Sequence, residues 1–399
     1  MAIKVLTGNY AAAYGAKLAR VEVISAYPIT PQTPVVEKLA EFVEEGELKA
    51  KFIHVESEHS AMAAAIGAAA AGARTFTATS SQGLFYMYEM VWWAAGARLP
   101  VVMGIVTRAP SPPWTIWGDH CDFLSIRDTG WILMFASSAQ EVLDTIIQAY
   151  KIAESEEVML PVAVGWDAFI TSHTAEPVDV PDQDLVDEFL PPKKPAAHTL
   201  DVDNPFSLGQ IAFPDKYMEF KWLAAEAMER AKEKIVEVDR EYAEIFGRSY
   251  GGLLEEYRCD DADAVAIVMG GIAGDAMDAV DELRERGYRV GVCRIRVVRP
   301  FPLEELRRIC TRARAIAVLD KNISQGSGGI VATELKSALY NTKRRPLVLD
   351  FIVGLGGRDV KRRDVEQVLM HTYSVLEGER EAKEVEWIGL RPEEVLIYD

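Results

Sequence analysis

Residues 52–83 have the sequence FIHVESEHSAMAAAIGAAAAGARTFTATSSQG, and their pattern predicts the fold class. A short apolar run, Phe52–Val55, precedes a helix predicted over Ser60–Ala71, and a second run, Thr75–Thr79, follows that helix. Runs rich in β-branched and aromatic residues predict strands, whereas the alanine-rich run between them predicts a helix. Two strands joined by a helix favour a parallel sheet that is covered by helices.

The same alternation extends on both sides of this stretch. A strand is predicted at 21–26, a helix at Thr33–Glu44 and a further strand at 100–106. Beyond about Thr174 the prolines and acidic residues predict a loop on the surface. A long helix follows over 215–246, and we expect it to pack across two domains.

A second series of strands and helices starts near Asp263. An amphipathic helix is predicted at Asp275–Glu285. The predicted strands of this series are 264–269, 288–297, 315–319 and 347–353. We therefore expect an α/β protein with two parallel-sheet units.

The composition supports two domains and excludes some partners. The chain has 399 residues, of which 49% are hydrophobic and 26% charged, as in an ordinary globular protein. Its formal net charge is −18. A chain this acidic is repelled by nucleic acid and by anionic membranes, so we expect neither as a partner.

The sequence carries no pattern for export, membrane insertion or metal binding. It has neither an N-terminal apolar leader nor a run of roughly 18 apolar residues, so we expect a cytoplasmic protein. The four cysteines are scattered without a C-x-x-C pair, which is typical of buried free thiols. The six histidines show no metal-ligand spacing, so no metal site is predicted.

Four polar or Gly/Pro-rich segments follow the first predicted strands. Ligands of open parallel sheets bind outside the carboxyl ends of the strands, so these segments are expected to converge on one crevice. They are Tyr27–Pro31, Glu56–Ser60, Thr79–Gly83 and Thr107–Pro110.

Glu58 is the first candidate residue of this crevice. With Ser57 before it, Glu58 also fits an ordinary helix start, where acids are favoured. The helix behind it, however, has little side chain to bury, and its Gly67 costs stability unless another element approaches closely. We therefore consider both a capping role and a functional role.

Arg108 and Thr30 are the next candidates. The Arg108 guanidinium is suited to bind a substrate carboxylate through two hydrogen bonds, and the alternative is a salt bridge to Asp119 or Asp122. Thr30 either donates a hydroxyl hydrogen bond or is a plain turn residue.

Three further groups of residues have open roles. His59 and His120 are possible acid–base groups. The glycine-rich turns 270–271 and 326–329 match no phosphate-binding fingerprint. The tryptophans near the crevice are expected in the core, and these are Trp92, Trp93, Trp114 and Trp117.

Taken together, the motifs resemble the alpha subunit of pyruvate:ferredoxin oxidoreductase, a 2-oxoacid:ferredoxin oxidoreductase. Each motif is weak alone, but their order and spacing are specific, and the resemblance covers essentially the whole chain. The motifs are Tyr27–Pro31, Glu56–Ala61, Thr79–Leu84, Thr107–Ala109, Arg127–Trp131, Lys321–Ser324 and Val353–Asp359.

The resemblance implies a domain arrangement. Residues 1–175 would form a thiamine-diphosphate-binding domain of the pyrimidine type. Residues 176–260 would form a linker and the long helix, and 261–399 a domain like the C-terminal domain of transketolase.

The resemblance also implies site residues and a cofactor, thiamine diphosphate. Glu58 matches the glutamate that hydrogen-bonds the aminopyrimidine ring nitrogen and favours the imino tautomer, which removes the thiazolium C2 proton. Thr30 and Arg108 match residues that bind the carboxylate and carbonyl of the 2-oxoacid. The remaining residues expected at the cofactor are Tyr27, Pro28, Ile29, Ser81 and Gln82.

Motifs that are missing point to partner chains. There is no Gly-Asp-Gly segment followed by Asn, so the Mg²⁺ and diphosphate ligands are expected on a partner subunit. Iron–sulfur clusters are likewise expected only in partners of the beta, gamma and delta types. The implied reaction converts a 2-oxoacid, coenzyme A and oxidised ferredoxin into acyl-CoA, CO₂ and reduced ferredoxin.

Pyruvate is the expected substrate, because 79–83 and 109–111 differ from the 2-oxoglutarate and branched-chain patterns. The sequence departs from the usual pyruvate pattern at Pro110, Pro113 and Trp114. An aromatic 2-oxoacid such as phenylglyoxylate, or oxalate, is therefore the alternative substrate. The alternative enzyme could also use another electron acceptor. Two other hypotheses remain: a non-catalytic scaffold subunit, and a non-oxidative, transketolase-like enzyme.

Overall fold

The computed structural model of the chain describes residues 2–194 and 199–394, so Met1, 195–198 and 395–399 of the predicted domains lie outside it. The strands are β1 (Ala2–Thr7), β2 (Val23–Ala26), β3 (Lys51–His54), β4 (Thr75–Thr79), β5 (Val102–Thr107), β6 (Ile132–Phe135), β7 (Val162–Asp167), β8 (Ala175–Val180), β9 (Leu254–Tyr257), β10 (Ala264–Val268), β11 (Val290–Ile295), β12 (Val297–Arg299), β13 (Ala315–Asp320), β14 (Leu347–Ile352) and β15 (Glu386–Trp387).

The helices alternate with these strands. They are α1 (Gly8–Leu18), α2 (Thr33–Glu44), α3 (Glu58–Ala70), α4 (Ser81–Tyr86), α5 (Tyr88–Gly96), α6 (Cys121–Ser125), α7 (Ala139–Ala153), α8 (Ile170–His173), α9 (Gln183–Phe189), α10 (Pro214–Phe246), α11 (Ile272–Glu285), α12 (Leu303–Cys310), α13 (Ile330–Leu339) and α14 (Arg362–Leu376).

Two large sheets organise the chain. The first has the order β12-β6-β7-β5-β4-β2-β3, and its strands are parallel except for β12. The second has the order β15-β14-β13-β10-β11-β9, with only β9 antiparallel. Every residue of β4, β5 and β7 is buried, as expected for parallel strands with helices on both faces. The predicted α/β class with two parallel sheets is confirmed.

The loop predicted after Thr174 is partly wrong. Strand β8 pairs antiparallel with β1, and α9 follows it. Pro177 did not prevent this pairing, because it lies opposite Val5 in a sheet of two strands, where an unpaired outer edge tolerates the missing N–H.

The strand predicted at 288–297 is two strands. β11 ends at Ile295 in the second sheet, and β12 crosses to pair with β6 at the edge of the first. The long helix α10 buries side chains only from Ala227 onward, where it packs against α7 and α9. The expectation that α10 packs across both units therefore applies only to its second half, where Asp239 faces Arg296.

Buried ion pairs join the two units. Glu141 on α7 accepts hydrogen bonds from Arg294 and Arg296 of the second half of the chain. Asp167, at the end of β7, accepts from Lys321 Nζ at 2.7 Å. Within the described residues, no helix is both long and apolar enough to cross a membrane.

Candidate functional site

The first sheet brings four strand ends to one edge. β5, β4, β2 and β3 are successive neighbours and run parallel, so their carboxyl ends open on the same side. The four segments predicted to converge each follow one of these strands. The four segments therefore meet at one edge of the sheet, the position of the predicted crevice.

Glu58 is the first residue of α3 and lies at this edge. Ser57 is extended, and its hydroxyl accepts the Ser60 N–H at 3.3 Å, which caps the helix. The capping function thus belongs to Ser57 and leaves the Glu58 side chain available. That side chain is only 7% exposed.

The Glu58 carboxyl group is buried, and no cation of the described residues pairs with it. Burial raises its pKa, and only its own backbone N–H opposes the shift among the described residues. A carboxyl group of this kind holds a proton more readily than an exposed one.

The neighbourhood of Glu58 also explains Gly83. A Cβ on Gly83 would lie 2.6 Å from both Glu58 Oε1 and Thr79 Oγ1, so only glycine fits. The hydroxyl groups of Thr79 and Ser80 are buried and find no hydrogen-bond partner within the described part of the chain. Buried polar atoms without a partner need an explanation, and a bound polar ligand or water would supply the missing hydrogen bonds.

Arg108 follows β5 and faces the same crevice. Its Nη1 donates to the Thr30 carbonyl at 2.9 Å, and its Nη2 donates to Gln82 Oε1 at 3.0 Å. Its Nε is buried and has no partner among the residues described. Burial lowers the pKa of Arg108, but arginine is so strong a base that the guanidinium stays protonated. The site therefore holds a positive charge whose N–H groups are not all used.

The salt bridge considered for Arg108 is not formed in the described structure. The backbone N–H of Arg108, not its guanidinium, donates to Asp122 Oδ2 at 2.9 Å, and Asp119 binds Cys121 and Gly356 instead. The same Asp122 oxygen accepts the Ser81 N–H at 2.8 Å. Burial raises the pKa of Asp122 to about 8, although the two N–H groups favour its charged form. Sequence reasoning missed this role, because nothing in the local pattern links Asp122 to residue 81.

The loop after β2 carries the remaining candidates. Thr30 and Tyr27 are exposed, Pro28 is exposed beside them, and Ile29 is half-buried. Asn9 anchors the loop by donating to the Pro31 carbonyl at 2.8 Å. The loop thus presents the Thr30 carbonyl to Arg108. Within the described residues, no hydrogen bond links Tyr27 or Pro28 to Glu58.

Ser81 and Gln82 begin α4 under the same crevice. Ser81 has a φ of +45°, a left-handed conformation that is strained for a residue with a side chain. Its hydroxyl donates to the Ala109 carbonyl at 3.0 Å and lies 2.8 Å from Gln82 Oε1. The structure therefore brings together Ser81, Gln82 and Arg108, with the Thr30 carbonyl at the far side.

Several other expectations need correction. The four tryptophans predicted in the core are 38–76% exposed, because they lie on the outer side of α5 and on the loop after Arg108. His120 is 1% exposed and its Nε2 lies 3.0 Å from Asp167, so it belongs to the buried ion cluster. His59 lies beside Glu89 at the surface. Three of the four cysteines are buried free thiols, and Cys121 is partly exposed.

Comparison with known families places the chain. Residues 14–240 match the family described as "Pyruvate flavodoxin/ferredoxin oxidoreductase, thiamine diP-bdg". Residues 262–365 match "Pyruvate:ferredoxin oxidoreductase core domain II".

Two kinds of curated relative are similar along nearly the whole chain. Ketoisovalerate oxidoreductase subunit VorA of Pyrococcus horikoshii is 52% identical over 388 residues, covering 97% of this chain and 98% of the relative. Pyruvate synthase subunit PorA of Methanocaldococcus jannaschii is 52% identical over 391 residues, covering 98% of each.

Solved structures share the fold. A 2-oxoglutarate:ferredoxin oxidoreductase from Magnetococcus marinus aligns with a TM-score of 0.72 and 18% identity over 93% of this chain and 65% of that one. A split-gene transketolase aligns with a TM-score of 0.54 and 13% identity over 93% of this chain and 99% of that one. The resemblance seen in the sequence is confirmed, and the chain belongs to the pyruvate flavodoxin/ferredoxin oxidoreductase family.

Proposed function

We propose that this chain is the alpha subunit of a 2-oxoacid:ferredoxin oxidoreductase and contributes the pyrimidine end of a thiamine diphosphate site. The proposed reaction is the oxidative decarboxylation of a 2-oxoacid with coenzyme A, which yields acyl-CoA, CO₂ and two electrons for ferredoxin. The observation that carries the proposal is Glu58, a buried carboxyl group at the crevice edge that pairs with no cation in the described part of the chain.

The residues of the crevice fit the proposed cofactor. Glu58 would hold a proton at a ring nitrogen of the pyrimidine, and the unpaired hydroxyls of Thr79 and Ser80 offer further hydrogen bonds. Ile29, Ser81 and Gln82 would line the ring, together with Tyr27 and Pro28. When bound, thiamine diphosphate supplies the carbanion chemistry, and the chain supplies orientation and charge.

The residues opposite Glu58 suit a 2-oxoacid. The Arg108 guanidinium, which Thr30 and Gln82 hold through Nη1 and Nη2, would donate its remaining N–H groups to the substrate carboxylate. A guanidinium fixed in this way loses little freedom on binding, which favours recognition of a planar carboxylate. The Thr30 hydroxyl would complete the contact to the carbonyl group.

Partner subunits complete the proposed enzyme. The outer face of α3 is exposed at Ala63 and Gly67, and a Cβ on Gly67 would meet nothing within 4 Å. We propose that a beta-type subunit covers this face and supplies the Mg²⁺ and diphosphate ligands. Iron–sulfur clusters, and the gamma and delta subunits that would contain them, are proposed as further partners. The domain limits and the cytoplasmic location given above also stay predictions.

Pyruvate remains the proposed substrate. A branched-chain 2-oxoacid is the second candidate, because ketoisovalerate oxidoreductase subunits and pyruvate synthase subunits are equally similar to this chain, both at 52% identity. Sequence identity alone thus does not decide between pyruvate and a branched-chain 2-oxoacid as the substrate.

The test is a substrate panel on the assembled complex. The chain would be co-expressed with its partner subunits, and dye reduction by viologen would be measured with pyruvate, 2-ketoisovalerate, phenylglyoxylate and oxalate, each with and without coenzyme A. We expect CoA-dependent reduction that is fastest with pyruvate. Faster reduction with 2-ketoisovalerate would make that 2-oxoacid, and not pyruvate, the proposed substrate. No reduction with any 2-oxoacid would contradict the proposed function.

A further inference from the structure

Asp122 connects the two halves of the crevice. It is fully buried, at 0% exposure, on the first turn of α6. One oxygen, Oδ2, accepts the N–H of Ser81 at 2.8 Å and the N–H of Arg108 at 2.9 Å. The other oxygen, Oδ1, accepts the N–H of Phe123 at 2.7 Å. A single carboxyl group thus ties the turn after β4 to the turn after β5.

These two turns carry different parts of the proposed site. The Ser81 turn continues into Gln82, which holds the Arg108 guanidinium, and into Gly83, which lies against Glu58. Ser81 is held at a φ of +45°, so its turn needs outside support to keep this shape.

We infer that Asp122 is a positioning residue that sets the orientation of the Arg108 guanidinium for 2-oxoacid binding. This inference rests on the proposed function. Asp122 itself would not touch the substrate, because both of its oxygens are occupied by backbone N–H groups. A displacement of about 1 Å at such a contact is enough to weaken a reaction roughly 100-fold.

Steady-state kinetics of Asp122 variants in the assembled complex test the inference. Asp122→Leu removes both acceptors, and we expect the KM of the fastest 2-oxoacid to rise roughly 100-fold. Asp122→Asn keeps one oxygen, and we expect a rise of about fivefold, which keeps the test decisive if the Leu variant fails to fold. The KM for coenzyme A should change less than twofold, a roughly factor-of-two margin that a positioning role allows. The kinetics are measured at saturating thiamine diphosphate, because Asp122 also holds the Ser81 turn that would line the cofactor ring.

Asp119→Asn is the matched control. Asp119 lies on the same loop, is 5% exposed and also accepts backbone N–H groups, but from Cys121 and Gly356 rather than from the two turns. Its KM for the 2-oxoacid should stay unchanged. An equal rise in Asp119→Asn, or an equal rise in the KM for coenzyme A in Asp122→Asn, would overturn the inference.

Arg108→Gln separates the inference from the proposed function. If its KM for the 2-oxoacid rises while that of Asp122→Asn does not, only the role of Asp122 is overturned. If the KM is unchanged in both variants, the role of Asp122 and the proposed substrate contact of Arg108 fall together.

Discussion

Helices α3 and α7 begin in the same way and then differ. Each is preceded by an extended serine, Ser57 or Ser138, whose hydroxyl accepts a backbone N–H of the first turn. Each carries a buried glutamate in that turn, Glu58 or Glu141. Local sequence alone therefore assigns both glutamates the same role in starting a helix.

Their surroundings are opposite. Glu141 accepts hydrogen bonds from Arg294, Arg296 and Ser137, and 13 of the 15 residues of α7 are buried. Glu58 has no cation within the described residues, and its helix leaves one face open. Removing a buried carboxyl group that pairs with cations leaves those cations uncompensated and destabilises the fold, whereas a buried carboxyl group without a partner charge is a candidate for chemistry.

The largest expected effect is on turnover. Glu58→Gln removes the ionisable group and should lower dye reduction by the assembled complex by roughly 1000-fold, within the usual range for a proton-transfer group. The free energy of unfolding of the chain should not fall, because no ion pair is lost. Urea unfolding of the same variant checks that point, and a destabilised but active Glu58→Gln would assign Glu58 to the structure instead.

Glu141→Gln is the reverse case. It leaves Arg294 and Arg296 buried without their shared carboxylate, so the free energy of unfolding should fall by about 3 kcal/mol. Urea unfolding measures the loss. Turnover per folded complex should stay near that of the wild type. A loss of turnover as large as that of Glu58→Gln would contradict the distinction between a structural Glu141 and a functional Glu58.

A smaller effect is expected where Lys321 meets Asp167. Burial opposes ionisation of Asp167, but Lys321 and His120 outweigh it and hold its pKa below its ordinary range. The stabilisation is therefore present above about pH 4, the unfolded value, and is lost as the pH falls through the lower folded pKa. Lys321→Met should lower the free energy of unfolding by about 2 kcal/mol at pH 7, at the low end for a buried charge pair because His120 still contacts Asp167.

Urea unfolding at pH 7, 5 and 3 tests this prediction. The difference in the free energy of unfolding between wild type and Lys321→Met should become smaller toward pH 3, because Asp167 becomes protonated in the unfolded chain. Arg312→Met, which removes only an exposed ion pair with Asp260, is the control and should give no pH-dependent gap. A gap that is constant with pH would mean that the loss of Lys321 acts through packing.

The smallest effect is expected on the open face of α3. Gly67 lies inside the helix and a Cβ there meets nothing, so Gly67→Ala should raise the free energy of unfolding of the isolated chain by about 0.7 kcal/mol. In the complex the same methyl group should weaken assembly with the partner subunit. Co-purification yield and thermal unfolding of the isolated chain measure the two effects, and tighter assembly would mean that no chain approaches closely at this face.

Much of the first sheet was predictable from local pattern. β4 and α2 match the predicted residues, and the other strands around the crevice shift by only one or two, because short apolar runs and alanine-rich helices are local signals. The pairing of β8 with β1 was not predictable from the local sequence. It joins residues more than 160 positions apart through backbone hydrogen bonds, which leave little trace in composition.

The candidate site shows the same division. Glu58, Arg108 and Gln82 were selected because they follow strand ends, which is a topological rule. Asp122 was considered only as a charge partner for Arg108, and its contacts with two backbone N–H groups depend on tertiary geometry. The functional roles of these residues stay predictions until variants are measured.

Glu58 is proposed to activate a cofactor that this chain shares with a partner. The most direct measurement is the rate of deuterium exchange at C2 of thiamine diphosphate bound to the assembled complex, followed by quenched-flow NMR. We predict that Glu58→Gln slows the exchange by at least about 100-fold while the cofactor stays bound, and that Glu141→Gln leaves it unchanged. Exchange at the wild-type rate in Glu58→Gln would contradict the claim.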